Sequence, residues 1–195
     1  MMQSLKQTIR KSILAQREQL SAELRAAHSA TIAERLLKLP EYRHAGVVLG
    51  YMNFGTEFAS ELWVARVLAD GRRLVLPKVN RHTNHLDLYR VDDPETQLAA
   101  GLWGIREPVV ERCERLDSLN EVEFALLPGV AFTRNGARLG YGGGFYDKLL
   151  ARFAHRPALV AAAFALQIVT DIPQESTDIR VERIVTEQEV IDCSV

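Results

Sequence analysis

The sequence predicts an α/β fold layered around a mostly parallel sheet. Residues 45–51, 73–77, 124–127 and 158–165 are apolar runs of strand length, the pattern of strands covered on both faces. Segments with apolar residues at helical spacing fall between them, and strands alternating with helices build a parallel sheet with helices packed on it. No internal repeat, low-complexity tract or linker interrupts the order, so 195 residues are expected to form one domain.

Composition narrows the function classes. Hydrophobic residues make up 47% and charged residues 25%, ordinary for a globular protein with a full core. A net charge of -1 and the lack of a basic stripe interleaved with aromatics argue against nucleic acid and membrane partners. Cys113 and Cys193 lie far apart without metal-type spacing. The N-terminal cations Lys6, Arg10 and Lys11 precede no long apolar run, so a signal peptide is not expected. A cytoplasmic monomer with a small-molecule substrate is the expectation.

Taken in order, Ser4 can cap a helix to about residue 19, with Leu5, Ile9, Ile13 and Leu20 as its apolar stripe. Lys6 and Arg10, four apart, share the next face. Ser21 can cap a second helix, with Leu24, Ile32, Leu36 and Leu37 inward and Pro40 as its stop. The run at 45–51 is the first strand, and residues 52–57 leave its carboxyl end, where open α/β sheets bind ligands. Glu57 stands there; it can serve a ligand or complement the dipole of the helix at 58–69, whose Leu62, Val64, Val67 and Leu68 face inward. Residues 73–77 and 85–91 are strands, the second half-exposed by its alternation. Residues 92–121 give weak signals; Trp103, between Gly101 and Gly104, can stack on a flat ligand or lid a core. Strands at 124–127, 158–165 and 181–185 complete the sheet.

Between 127 and 153 the chain runs strand, loop, glycine turn, helix. Gly140, Gly142, Gly143 and Gly144 fall within five positions, and consecutive glycines let backbone N–H groups turn inward onto an anion. The helix start at Tyr146 adds to that cradle. Arg138 supplies positive charge before the turn, and Asp147 a carboxylate after it, where a hydrated magnesium ion can sit. The P-loop pattern is absent. Gly140 to Gly144 lies too late in the chain for a dinucleotide fingerprint.

The stretch Leu127-Pro128-Gly129-Val130-Ala131-Phe132-Thr133-Arg134-Asn135-Gly136-Ala137-Arg138-Leu139-Gly140-Tyr141-Gly142-Gly143-Gly144-Phe145-Tyr146-Asp147 resembles the signature of the 5-formyltetrahydrofolate cyclo-ligase family. Lys6-Gln7-Thr8-Ile9-Arg10, the loop from Tyr51 to Glu57, residues 104–108 and the tail 178–187 support the resemblance by order and spacing. Glu182 stands where the family often has aspartate, and Thr177 where bacterial members often have histidine.

The resemblance implies a three-layer α/β/α, Rossmann-like sandwich. It implies an ATP- and Mg2+-dependent closure of 5-formyltetrahydrofolate to 5,10-methenyltetrahydrofolate, with release of ADP and phosphate. Lys6, Arg10 and Arg138 would neutralise the triphosphate. Residues Lys6, Gln7, Thr8, Ile9 and Arg10, with Arg138, Leu139, Gly140, Tyr141, Gly142, Gly143, Gly144, Phe145 and Tyr146, would bind ATP. Asp147 and Asp178 would hold magnesium. Met52, Glu57, Trp103, Tyr141, Phe145 and the glycines 142–144 would receive the folate. Such chemistry needs positioning and charge neutralisation rather than a catalytic triad. A related fold could instead host a sugar-phosphate isomerase, an acyl-CoA transferase or a non-enzymatic ligand-binding module; ATP-dependent turnover of a folate separates these.

Overall fold

A computed structural model describes residues 2–193. The elements, in order, are α1 Met2–Glu18, α2 Ala22–Lys38, α3 Pro40–His44, β1 Val47–Leu49, α4 Ser60–Ala69, β2 Arg73–Asn80, β3 His85–Arg90, α5 Pro94–Gln97, β4 Leu98–Ala100 and β5 Arg106–Pro108. There follow β6 Phe124–Leu127, β7 Ala131–Thr133, β8 Arg138–Leu139, α6 Phe145–Leu150, β9 Ala158–Ala162, β10 Ile168–Val169, β11 Arg183–Val185 and β12 Val190–Asp192.

The main sheet has the order β12-β11-β9-β6-β1-β2-β3. Its five inner strands pair in parallel, and β3 and β12 close the two edges antiparallel. Side chains alternate across it. Val48, Leu74, Leu76, Phe124, Leu126 and Val160 point to one face, where Ile32 and Leu36 of α2, Tyr42 of α3 and Trp63, Val64 and Val67 of α4 pack. Leu49, Val75, Ala125, Leu127 and Leu159 point to the other, against Leu149 and Leu150 of α6. Both faces are covered, which is why these strands read as continuous apolar runs.

The chain lays β2 on one side of β1 and then places β6 on the other. The order therefore reverses between β1 and β6, and loops leaving the carboxyl ends of strands at such a reversal enclose a crevice. The loop at 50–59 leaves β1 there. The hairpin of β7 and β8, with the glycine turn after it, leaves β6 there. This hairpin joins β10 in a small separate sheet. Helix α1 packs on that sheet, with Ile13 buried among Val130, Ala131, Ala137, Leu139 and Ile172.

Several expectations need correction. Helix α1 begins before Ser4, and Leu5 is exposed. Its packed stripe is Lys6, Ile9, Arg10, Ile13 and Arg17, at i, i+3, i+4, i+7 and i+11. Leu24 and Leu62 are exposed as well; α4 buries Ser60, Trp63, Val64 and Val67 instead, a stripe turned away from Leu62. Ser21 caps α2 by accepting from the Leu24 amide. The helix ends at Lys38, because Leu39 before Pro40 is extended, and Pro40 opens α3. Strand β2 continues past Pro77 to Asn80; there it has outrun β1 and pairs only with β3, so the proline breaks no inner ladder. Helix α6 is shorter than its apolar run, ending at Leu150.

Candidate active site

Two loops and one helix meet at the reversal. Helix α1 presents a line of cations to the glycine turn. Arg10 Nε donates to the Gly140 carbonyl at 2.7 Å, and its guanidinium lies beside Gly142. Lys6 is only 6% exposed and pairs with Asp178 at 3.1 Å and Glu175 at 3.4 Å. Asp178 also accepts from the Glu175 amide, which fixes that bend. Gln7 and Thr8 fall on the exposed side of α1, where Thr8 donates to the Ser4 carbonyl, and Ile9 packs toward Ile13. Five consecutive residues of a helix cannot share one face, so the structure brings Arg10 to the turn and Lys6 to Asp178 and Glu175, and leaves Gln7 and Thr8 outside.

The glycine turn has φ of +109° at Gly142 and +63° at Gly144, a backbone that side chains resist. At Gly143 an added Cβ would lie 2.7 Å from the Phe145 ring. Below the turn, Arg138 donates to Asp147 at 2.8 Å and to the Pro128 carbonyl at 3.3 Å. The Arg138 guanidinium lies over the Tyr146 ring. Arg138 thus ties the turn to Asp147 through its terminal nitrogens, while its buried Nε has no hydrogen-bond partner. Asp147 accepts in addition from the Ile179 amide at 3.2 Å, which draws the segment carrying Asp178 beside it. Each of these aspartates keeps its second oxygen free of hydrogen bonds among the described residues. Leu139 is buried with Ile13.

On the β1 side, Glu57 does not cap α4, which opens three residues later without a side-chain cap. Its chain turns back so that Oε2 accepts from the Phe54 amide at 2.8 Å. Oε1 is buried and has no partner, and Glu57 as a whole is 7% exposed. Burial pushes its carboxyl above the usual carboxylate range, against the opposing pull of the Phe54 amide, Arg17 and the nearby Tyr141 hydroxyl. Tyr51, beneath it, is pushed well above the usual phenol range by burial and by the Glu57 charge. Tyr141 and Tyr146 move the same way for the same reasons. The Phe54 and Tyr141 rings meet edge to face at 5.8 Å and form the exposed rim.

The two halves are joined by Arg17, which sequence reasoning missed. It is 2% exposed; Nε donates to Thr56 Oγ1 and Nη2 to Tyr141 Oη, both at 2.9 Å. The signal was present: Arg17 is seven residues after Arg10 and eleven after Lys6, on the same stripe. Met52 packs in the core with Tyr51 and Phe58 rather than lining the crevice. Trp103 is 67% exposed on the turn between β4 and β5, with φ of +58°. Among the described residues no ring contact or hydrogen bond ties it to Glu57 or Tyr141.

The comparisons with known proteins agree with this architecture. A model of the 5-formyltetrahydrofolate cyclo-ligase family matches residues 2–187. The 5-formyltetrahydrofolate cyclo-ligase of Haemophilus influenzae is 29% identical over 175 residues, covering 89% of this chain and 93% of its own. That of Mus musculus is 26% identical over 191 residues, covering 94% of each. The solved 5,10-methenyltetrahydrofolate synthetase of Aquifex aeolicus superposes with a TM-score of 0.83 at 36% identity, covering 98% of this chain and 94% of that one. A synthetase from Mycoplasma pneumoniae, at 20% identity and a TM-score of 0.75, shares the fold. With the family model spanning almost the whole sequence, this chain belongs to the 5-formyltetrahydrofolate cyclo-ligase family.

Proposed function

We propose that the protein closes 5-formyltetrahydrofolate to 5,10-methenyltetrahydrofolate with consumption of ATP and release of ADP and phosphate. The observation that carries the reading is one helix stripe, Lys6, Arg10 and Arg17, reaching from the glycine turn to the Glu57 loop across the crevice. A reaction joining a triphosphate to a folate needs both ligands in one crevice.

The residues divide the work. Lys6, Arg10 and the turn from Gly140 to Gly144 bind and neutralise the triphosphate. Arg138 holds the turn in shape. Glu57 Oε1 accepts from the ring N–H of the folate, and Tyr141 and Phe54 flank it. The formyl oxygen attacks the γ-phosphorus and ADP leaves. The neighbouring secondary amine of the folate's side chain then adds to the activated formyl carbon, releases its proton to solvent, and inorganic phosphate departs as the five-membered ring closes. The attacking oxygen carries no proton, so no general base is required there.

The donor set suits magnesium carried by phosphates. Among the described residues no group of three or more His, Cys, Asp or Glu side chains could cage a metal. Magnesium usually keeps its waters and takes one or two carboxylates plus substrate phosphates, and Asp147 and Asp178 each offer a free oxygen beside the turn. When bound, the ion would neutralise charge on the transferring phosphoryl group. The proposal extends to a single-domain, monomeric enzyme working in the cytoplasm. No described helix is long and apolar enough to cross a membrane.

The test is direct. Purified protein with 5-formyltetrahydrofolate, magnesium and ATP should give the near-ultraviolet absorbance of the methenyl product, with one phosphate released per ring closed. No product, or product formed equally well without ATP, refutes the reading.

A further inference from the structure

Arg17 has no task in the chemistry above, yet its surroundings are unusual. Its Nη1 is buried and has no hydrogen-bond partner, while its other donors are engaged by Thr56 and Tyr141. Glu57, close enough to feel the Arg17 charge, has an equally buried and partnerless Oε1. A buried polar atom without a partner is costly, and native chains leave few of them. An unused donor and an unused acceptor in one neighbourhood, linked through the Arg17–Thr56 bond one residue before Glu57, are the complement of a lactam edge, a ring N–H next to a ring C=O.

The 4-oxo ring of a folate carries that edge. We propose that Arg17 is a specificity-determining residue of the folate site, its Nη1 donating to the ring carbonyl while Glu57 Oε1 accepts from the adjacent ring N–H. The assignment rests on the folate reading. Access comes from the rim. Phe54 and Tyr141 are the exposed groups tied to this pair, Phe54 through its amide on Glu57 and Tyr141 through its hydroxyl on Arg17. Gly55 and Gly142, both with positive φ, flank them and allow the rings to part.

The pair discriminates by chemistry. In a 4-amino ring the carbonyl becomes an NH2 donor facing the Arg17 donor, and the ring N–H becomes a bare nitrogen facing Glu57. The test measures dissociation constants of 5-formyltetrahydrofolate and its 4-amino-4-deoxy analogue by calorimetry on wild type, Arg17→Met and Arg17→Lys. Wild type should prefer the 4-oxo compound by about 10- to 100-fold, the value of one or two polar mismatches in a buried site. Arg17→Met should lower the ratio at least about threefold, the mismatch at Glu57 remaining, with ATP affinity unchanged. If Arg17→Met does not fold, Arg17→Lys decides: its donors share one nitrogen and cannot span the three positions, so the ratio should fall at least about threefold. An unchanged ratio in the folded variant, with both compounds weakened alike or only turnover lost, overturns the proposal. Wild type that binds both compounds equally refutes this assignment and leaves the folate reading standing. Wild type that binds neither refutes both.

Discussion

Glu57 is a carboxylate held where charge is unfavourable, and the consequences are measurable. Burial raises its pKa above the ordinary 4.5. Between 4.5 and the raised value, the folded chain holds a proton that the unfolded chain has released. Stability therefore falls as pH rises through that window and stays lower above it. Glu57→Gln keeps the acceptor for the Phe54 amide and removes the charge. It should melt higher than wild type at pH 7, each kcal/mol gained adding about 2–4 °C, and the gain should vanish as pH falls toward 4.5. The same variant should bind 5-formyltetrahydrofolate about 10- to 100-fold more weakly and leave ATP affinity unchanged, since one buried polar partner is lost. Melting curves at two pH values and steady-state kinetics check both halves. A lower melting point at pH 7 would show that the charge is compensated after all.

The glycine turn and helix α1 act as elements rather than as single residues. Gly142 lies at φ +109°, and a Cβ added there would sit 3.6 Å from the Arg10 guanidinium. An alanine there must move the backbone, at about 1–3 kcal/mol. Gly142→Ala should therefore lower ATP affinity at least about tenfold while the protein stays folded. Gly143→Ala keeps an allowed backbone and needs only the Phe145 ring to turn aside, so its effect should be smaller. Calorimetry with ATP separates the two, and equal, unperturbed affinities would remove the phosphate role of the turn. The turn was legible in the sequence because glycine spacing is a backbone signal. The face of α1 was not. Leu5 suggested an apolar stripe, but the helix packs on the small hairpin sheet through Ile9 and Ile13, and that rotation carries Lys6, Arg10 and Arg17 inward. Hydropathy alone cannot foresee a helix whose inner face carries three cations.

At the scale of the molecule, the parallel sheet was readable because strands covered on both faces are apolar throughout, and β6 runs over the residues its sequence indicated. Edges and short pieces were not. Strand β12, with its outer residues exposed, and the hairpin of β7 and β8 depend on pairing that no local pattern encodes. Trp63 shows how packing overrode pattern. It is fully buried, its ring 6.0 Å from those of both Tyr42 and Phe124, where the sequence pointed to Leu62. Trp63→Ala should cost about 3–5 kcal/mol, read as a lower denaturant midpoint with an unchanged slope. A loss under about 1 kcal/mol would mean that α4 can close over the gap.

Helix α1 also fixes when the molecule becomes complete. Arg10 bonds a carbonyl 130 residues away, Arg17 a hydroxyl 124 residues away and Lys6 a carboxylate 172 residues away. Synthesis delivers the chain from the N-terminus, so α1 leaves the ribosome well before its partners at Gly140, Tyr141 and Asp178. A nascent chain can lay down β1 and β2 while its three helix cations still lack every long-range partner beyond Thr56. Only the β1-β2-β3 side of the sheet can pair early; the side from β6 to β12 and the crevice are completed together, at the end of synthesis.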